Sequence, residues 1–200
     1  MADIFQRTLK KAIDTRNVAG KAVDATNWLR QTASKAASRH VSPTRIMSQK
    51  QMMTRARGGI TIGQMYLFAY DPKHKKTLPY YDRFPLIFPF DYADGGFYGI
   101  NLHYLSPQHR AQLMDALYGL INNLDQDETT QLRLSYQILK RSSKFKYFAP
   151  CVKHYLNSHV QSPFYYINPD EWDAALFLPL QRFEKASSSK VYVDSINKVR

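Results

Sequence analysis

Met65-Tyr66-Leu67-Phe68-Ala69-Tyr70, Leu86-Ile87-Phe88 and Phe97-Tyr98-Gly99-Ile100-Asn101-Leu102-His103-Tyr104-Leu105 are three apolar runs dense in aromatic residues. Such residues suit the pleated, half-buried surface of a sheet. Asp71-Pro72 opens a turn after the first run, and residues 91–96, ending in Asp94-Gly95-Gly96, connect the other two as a hairpin. Pro79, Pro85 and Pro89 punctuate the middle of the stretch. Proline cannot donate to a β-ladder, so Leu86-Ile87-Phe88 is expected to be a short or edge strand. Residues 60–70 alternate loosely and residues 97–105 alternate in part. The pattern predicts an α+β fold around a small, three-stranded antiparallel β-sheet, curled and barrel-like. Three strands need cover to be stable, and C-terminal helices can supply it.

Ser106-Pro107 reads as the N-cap and first residue of a helix reaching about residue 122, with Leu113, Leu117, Leu120 and Ile121 toward the core. A second helix starts near Asp127-Glu128, where acids suit the positive end of the helix dipole. Leu132, Tyr136 and Leu139 form its stripe. Pro150 is expected to open a third helix carrying Val152, Tyr155 and Leu156. Asn168-Pro169-Asp170-Glu171 starts a short fourth with Trp172 and Leu176. The Ser-rich tail from residue 186 holds Val191-Tyr192-Val193, read as a final strand.

Upstream, Ile4, Phe5, Leu9, Ala12 and Ile13 fall on one helical face by three-and-four spacing. A helix of about 15 residues is only ~22 Å long and marginal without a partner. An extended basic helical N-terminal arm therefore orders against a neighbour or nucleic acid, or else packs on its own domain. Ser42-Pro43 marks a further helix start, with residues 44–57 as a short helix carrying Ile46, Met47, Met52 and Met53. Gly58-Gly59 breaks it. The expected organisation is an arm and linker over 1–59, an α+β core over 60–185 and a tail over 186–200.

The chain carries a net charge of +12 and a pI near 9.7, which favours a polyanionic partner. Residues 1–57 hold twelve Lys and Arg against three acids, and the remainder sixteen against thirteen. Basicity thus belongs mainly to the arm. The candidate contacts are Lys10, Lys11, Arg16, Lys21, Arg55 and Arg57 in the arm and linker, and Lys73, Lys75 and Lys76 in the core loop. Lys140, Arg141, Lys144, Lys146 and Lys153 form a later group, interleaved with Phe145, Tyr147 and Phe148. Cations there can neutralise phosphates while rings stack on frayed bases. The simpler account is a helix end whose lysines suit the dipole and whose aromatics are core.

Other chemistry is poorly supported. One cysteine, Cys151, excludes an internal disulfide and a thiolate zinc cluster, and its apolar neighbours make it a small buried residue. No apolar run nears the ~20 residues of a bilayer span, and the N-terminus lacks a signal-peptide pattern. Gly58-Gly59 and Gly95-Gly96 lack the spacing and lysine of a phosphate-binding loop. His103 with His109, and His154 with His159, miss the i, i+4 spacing that puts two imidazoles on one helical face. Asp170, Glu171 and Asp173 read as helix-start carboxylates rather than a nuclease set. The expectation is no catalysis, no metal and no cofactor.

Asp71-Pro72-Lys73-His74-Lys75-Lys76-Thr77-Leu78-Pro79-Tyr80-Tyr81-Asp82-Arg83-Phe84-Pro85-Leu86 and Gly99-Ile100-Asn101-Leu102-His103-Tyr104-Leu105, with the 65–70 run, carry a resemblance. So do Phe145-Lys146-Tyr147-Phe148, Ser158-His159-Val160 and Trp172-Asp173-Ala174-Ala175-Leu176-Phe177-Leu178-Pro179. Over about residues 63–183 the chain resembles the DNA end protector family of T4-like cyanophages and other marine phages. The resemblance implies a virion component, present in the host cytoplasm during assembly. It would bind double-stranded DNA ends without sequence preference and shield them from exonucleases by occlusion. Other phage structural proteins would be partners in an oligomeric assembly, with no membrane involved. The competing expectation is a structural neck, tail or baseplate protein whose arm threads between neighbouring subunits.

Overall fold

A computed structural model describes residues 43–105, 110, 113–114, 117, 128–144, 148–176 and 180–197. Residues 1–42, and with them the helical arm, lie outside the described residues, as do the ends expected for the 106–122 helix. Two short helices, α1 (Pro43–Met47) and α2 (Lys50–Met53), lead into strand β1 (Ala56–Arg57). Then come β2 (Met65–Leu67), β3 (Tyr81–Asp82), β4 (Leu86–Ala93) and β5 (Gly96–Asn101). Helix α3 (Glu128–Lys144) is followed by β6 (Val152–Leu156), β7 (Phe164–Ile167), α4 (Trp172–Leu176), β8 (Phe183–Glu184) and α5 (Ser188–Asn197).

Six strands form one antiparallel sheet in the order β1-β7-β2-β4-β5-β6, and β3 pairs with β8 in a separate ribbon. The sheet is open, with β1 and β6 as its edges; it does not close into the barrel expected from the sequence. It is also twice the expected size, because β1 and β6 come from segments read as linker and helix, and β7 from a stretch to which no element was assigned.

Both faces of this sheet are buried, which explains the loose alternation of its strands. Successive side chains point to opposite faces. Met65, Leu67, Leu86, Phe88, Phe90, Ile100 and Ile167 face a large core shared with Trp172, Leu113, Leu117 and Leu139. Tyr66, Ile87, Phe97, Tyr155 and Phe164 face the other way and close around Phe68 and Tyr70. When both faces are apolar, the strand reads as a nearly continuous hydrophobic run. The Phe68 ring meets Phe164 at 5.1 Å, Tyr155 at 5.3 Å, Phe97 at 6.1 Å and Tyr70 at 6.1 Å, all edge-on. Edge-to-face contact at these separations aligns positive ring edges with negative faces.

β4 is a long central strand rather than a short edge strand, although it contains Pro89. β2 pairs with β4 only at Ile87 and Leu86, so no neighbour on that side requires the missing N–H. The register slips between Pro89 and Asp91, and the Pro89 carbonyl accepts the Gly63 N–H at 2.9 Å. A bulge is where a sheet tolerates proline. The hairpin is tighter than residues 91–96: Ala93 pairs with Gly96 across Asp94-Gly95, and Gly95 takes φ +70°. Gly96 then passes so close to β6 that a Cβ there would lie 1.9 Å from the Tyr155 carbonyl oxygen. No side chain fits.

Packing extends beyond residues 60–185 on both sides. Ile46, Met47 and Met52 of α1 and α2 are buried in the main core, and β1 pairs with β7. Residues 44–57 are therefore two short helices and a strand, not one helix. Val191-Tyr192-Val193 lies in helix α5, where Val191 and Ser195, four apart, turn inward. Arg110, helical and buried with Leu113, Met114 and Leu117, anchors it: its guanidinium donates to the Leu105 and His103 carbonyls, Gln181 Oε1 and the Tyr192 hydroxyl. The segment expected as a third helix is a single 3-10 turn, Ala149–Cys151, followed by edge strand β6. Pairing of Val152, Lys153, His154 and Tyr155 with β5 overrides the Pro150 start signal. Trp172 and Leu176 are buried on α4, as expected.

Cys151 is buried, and burial pushes its thiol up to about 12. A folded-state value above the unfolded one means the native state holds the proton longer. Stability from this group is thus intact below about pH 9 and declines as pH rises from there toward 12. At pH 8 a thiol reagent should label the unfolded chain rapidly and the native chain at least about a hundredfold more slowly, since only thiolate reacts. Equal rates would show the thiol to be exposed.

Candidate nucleic-acid interface

The sequence-derived candidates separate sharply once folded. Lys10, Lys11, Arg16, Lys21 and Lys146 lie outside the described residues. Arg55 is turned inward: its Nη2 donates to Glu171 Oε1 at 2.8 Å, Nη1 pairs with Glu171 Oε2, and Nε donates to the Gln51 carbonyl at 3.1 Å. Both partners are buried, so Arg55 ties the end of α2 to the start of α4 and presents no charge to a partner. Glu171 likewise serves Arg55 rather than a helix dipole.

Arg57 is exposed at the end of β1, its guanidinium 5.9 Å from the Tyr166 ring centroid. Arg141 and Lys144 are exposed in the last turn of α3, where cations complement the helix dipole. Lys140, one turn earlier, donates to the Tyr136 hydroxyl at 2.7 Å and reaches Asp91 at 3.3 Å. These contacts hold its amine above the usual lysine range, the Tyr136 bond contributing most. Lys75 forms a similar exposed pair with Asp71 at 2.7 Å, and that hydrogen bond raises its amine too.

The Lys73–Lys76 loop is held from outside itself. Lys185 Nζ donates to the carbonyls of Lys75, Lys76 and Leu78 at 2.6, 3.0 and 3.0 Å. Lys185 itself adopts φ +69°, a conformation that side-chain-bearing residues rarely hold unless their surroundings enforce it. Thr77 and Leu78 N–H groups close onto the His74 carbonyl at 3.0 Å each. Lys73, His74, Lys75 and Lys76 are thereby presented outward from a fixed turn.

Facing this turn is β6. Lys153 and Tyr155 alternate onto the same face, and Lys153 Nζ lies 4.1 Å from the Tyr104 ring centroid. Between β6 and the turn lies a cavity of about 420 Å³ lined by Lys73, His74, Tyr80, Tyr81, Lys153 and His154, among others. Its floor is a sealed polar network. Asp82 Oδ2 lies 2.7 Å from His103 Nδ1 and accepts from Asn101 Nδ2 at 3.1 Å, while Asn101 Nδ2 also donates to the Tyr155 hydroxyl at 3.1 Å. Asp82 and His103 are 4% and 2% exposed; Asp82 forms part of the cavity wall and His103 backs it from the interior. Burial pushes the Tyr104 and Tyr155 phenols upward, and the nearby Asp82 adds to it; both stay protonated donors at neutral pH.

The structure thus brings Lys73 and Lys153 together across one cavity and leaves Arg141 and Lys144 on a separate element. Tyr80 and Tyr81, and the His74 and His154 that the sequence places beside Lys73 and Lys153, line this cavity without having been expected as contacts. The signal was present in the Lys73-His74 and Lys153-His154 neighbours, but nothing local shows that they face one another. Among the described residues no cluster of three or more His, Cys, Asp or Glu could hold a metal, and no helix is long and apolar enough to cross a membrane.

The described residues thus form an α+β scaffold that presents cations and tyrosines, groups of the kind that suit a polyanion. The family model described as phage T4 terminal DNA protecting protein matches residues 1–198, and the chain belongs to that bacteriophage family. None of the curated proteins and none of the solved structures compared with it matches the chain.

Proposed function

We propose that this chain is a phage virion protein that caps the ends of packaged linear DNA, by occlusion and without bond chemistry. The observation that carries the reading is the match to a terminal DNA protecting family along nearly the whole chain, residues 1–198. The charge supports it: net +12, concentrated ahead of residue 58. Contacts run through Lys10, Lys11, Arg16, Lys21 and Lys146 together with Arg57, Lys73, Lys75, Lys76, Lys140, Arg141, Lys144 and Lys153; Arg55 is excluded by its burial against Glu171. The Lys75 and Lys140 ion pairs are exposed and exchange readily for phosphate. Assembly with other phage structural proteins in an oligomer belongs to the same proposal.

Neutralising phosphates releases condensed counterions, so binding weakens steeply with salt. Affinity for a blunt linear duplex should fall about a thousandfold between roughly 50 and 200 mM salt, and a closed circle of the same sequence should bind more weakly. Replacing Lys10, Lys11, Arg16 and Lys21 by Gln in the full chain should reduce the salt slope by about one per lost contact. Salt-independent binding, or equal affinity for circle and linear duplex, would overturn the reading.

A further inference from the structure

We infer that the tyrosine-walled cavity between the 72–78 turn and β6 is a site for the 5′-terminal phosphate of a DNA end and the nucleotide that carries it. The inference rests on the DNA-end reading above and names how the end itself is recognised. The cavity of about 420 Å³ falls within the range of ligand pockets, roughly 300–1,000 Å³. Its cations come from two sides, Lys73 from the turn stapled by Lys185 and Lys153 from β6, and His74 adds a hydrogen-bonding ring beside Lys73. The acid in its wall, Asp82, is only 4% exposed and its oxygens are held by Asn101 Nδ2, the Phe84 N–H and His103 Nδ1, which turns them away from the open side of the cavity.

The aromatic lining suits the rest of a nucleotide. Half-buried Tyr80 and Tyr81 present ring surface on which any base can stack. The Tyr70 hydroxyl oxygen accepts the Leu156 N–H at 3.1 Å, which leaves its own proton to donate to a phosphate oxygen. A concave site of this kind discriminates against internal nucleotides. Reaching it from within a duplex requires unstacking a paired base, a cost that is least where the pair is already frayed. Flat basic patches such as Arg141 and Lys144 carry no such bias. A terminal monoester also bears more charge than an internal diester, so the same cations hold it more strongly.

The test compares the full-length chain on four probes of one sequence: blunt linear duplexes with a 5′-phosphate, a 5′-hydroxyl or a 3′-phosphate, and a covalently closed circle. The 5′-phosphorylated duplex should bind about tenfold tighter than the 5′-hydroxyl and 3′-phosphate forms, the effect of one charge-assisted hydrogen bond. Lys73→Gln with Lys153→Gln should bring that ratio to within about twofold. Lys73→Gln alone, exposed on the turn and separable from folding, should cut it about threefold. Lys76→Gln removes a charge from the same turn outside the cavity lining, and should weaken the three linear probes alike, preserving the ratio. Equal wild-type affinity for 5′-phosphate and 5′-hydroxyl ends would overturn the inference while leaving end-capping intact if the circle still binds more weakly. Equal affinity for circle and linear duplex would remove the end-capping reading and this site with it.

Discussion

Glu171→Ala should cost about 3–5 kcal/mol of folding stability, because it strands the buried Arg55 guanidinium without a counter-charge. The pair is bidentate and almost solvent-free, with Arg55 7% and Glu171 0% exposed. Removing one partner leaves the desolvation penalty of the other in full. Replacing both, as in Arg55→Met with Glu171→Leu, removes that penalty and should return stability to within about 1 kcal/mol of the parent, or above it. Chemical denaturation of the three chains checks this: a single variant as stable as the parent would show that Arg55 is reached by water. The consequence is local as well as global. Arg55 ties α2 to α4, and the adjacent β1 pairs with β7, so the variant should loosen the place where α2 joins the sheet.

Phe68→Ala should be similarly severe, at about 3–5 kcal/mol, for a different reason. Phe68 is fully buried at the centre of the second sheet face, edge-on to Tyr70, Phe97, Tyr155 and Phe164. Those partners sit on three strands and the chain after β2, so they cannot collapse onto the space left behind. The near-ultraviolet circular dichroism should diminish with the lost tyrosine packing, while Tyr92→Ala, at a side chain 63% exposed, should change stability by less than about 0.5 kcal/mol. A mild effect at Phe68 would mean the aromatic face is not a second core. Tyr155 also lines the cavity floor, so a binding change at 5′-phosphate ends should accompany the loss of stability.

Much of this was legible before folding was considered. The three aromatic runs around residues 65–105 do form adjacent strands, the Asp94-Gly95 turn does join two of them, and Trp172 and Leu176 do mark a short buried helix. What misled was local chemistry with a distant partner. Pro89 signalled an edge strand, yet β4 lies between β2 and β5, and its proline is tolerated because β2 reaches only its first two residues. Pro150 signalled a helix start, yet the residues after it find five partners on β5. Val191-Tyr192-Val193 has the β-branched content of a strand, yet Val191 and Ser195 are spaced to fit a helix against the core. In each case the deciding contact lies many residues away.

The same division runs through the site. Sequence alone determined the amount of positive charge, its concentration ahead of residue 58 and the family to which the chain belongs, because these are sums and patterns along the chain. Tertiary structure alone decided which cations meet solvent. Arg55 and Arg57 are two residues apart and chemically identical, but one closes a buried pair with Glu171 and the other points outward. It also set Lys73 opposite Lys153, eighty positions later, through the pairing of β6 with β5 and the Lys185 staple on the turn. Burial and facing are properties of surfaces made by remote segments, and charge counted along the chain contains neither.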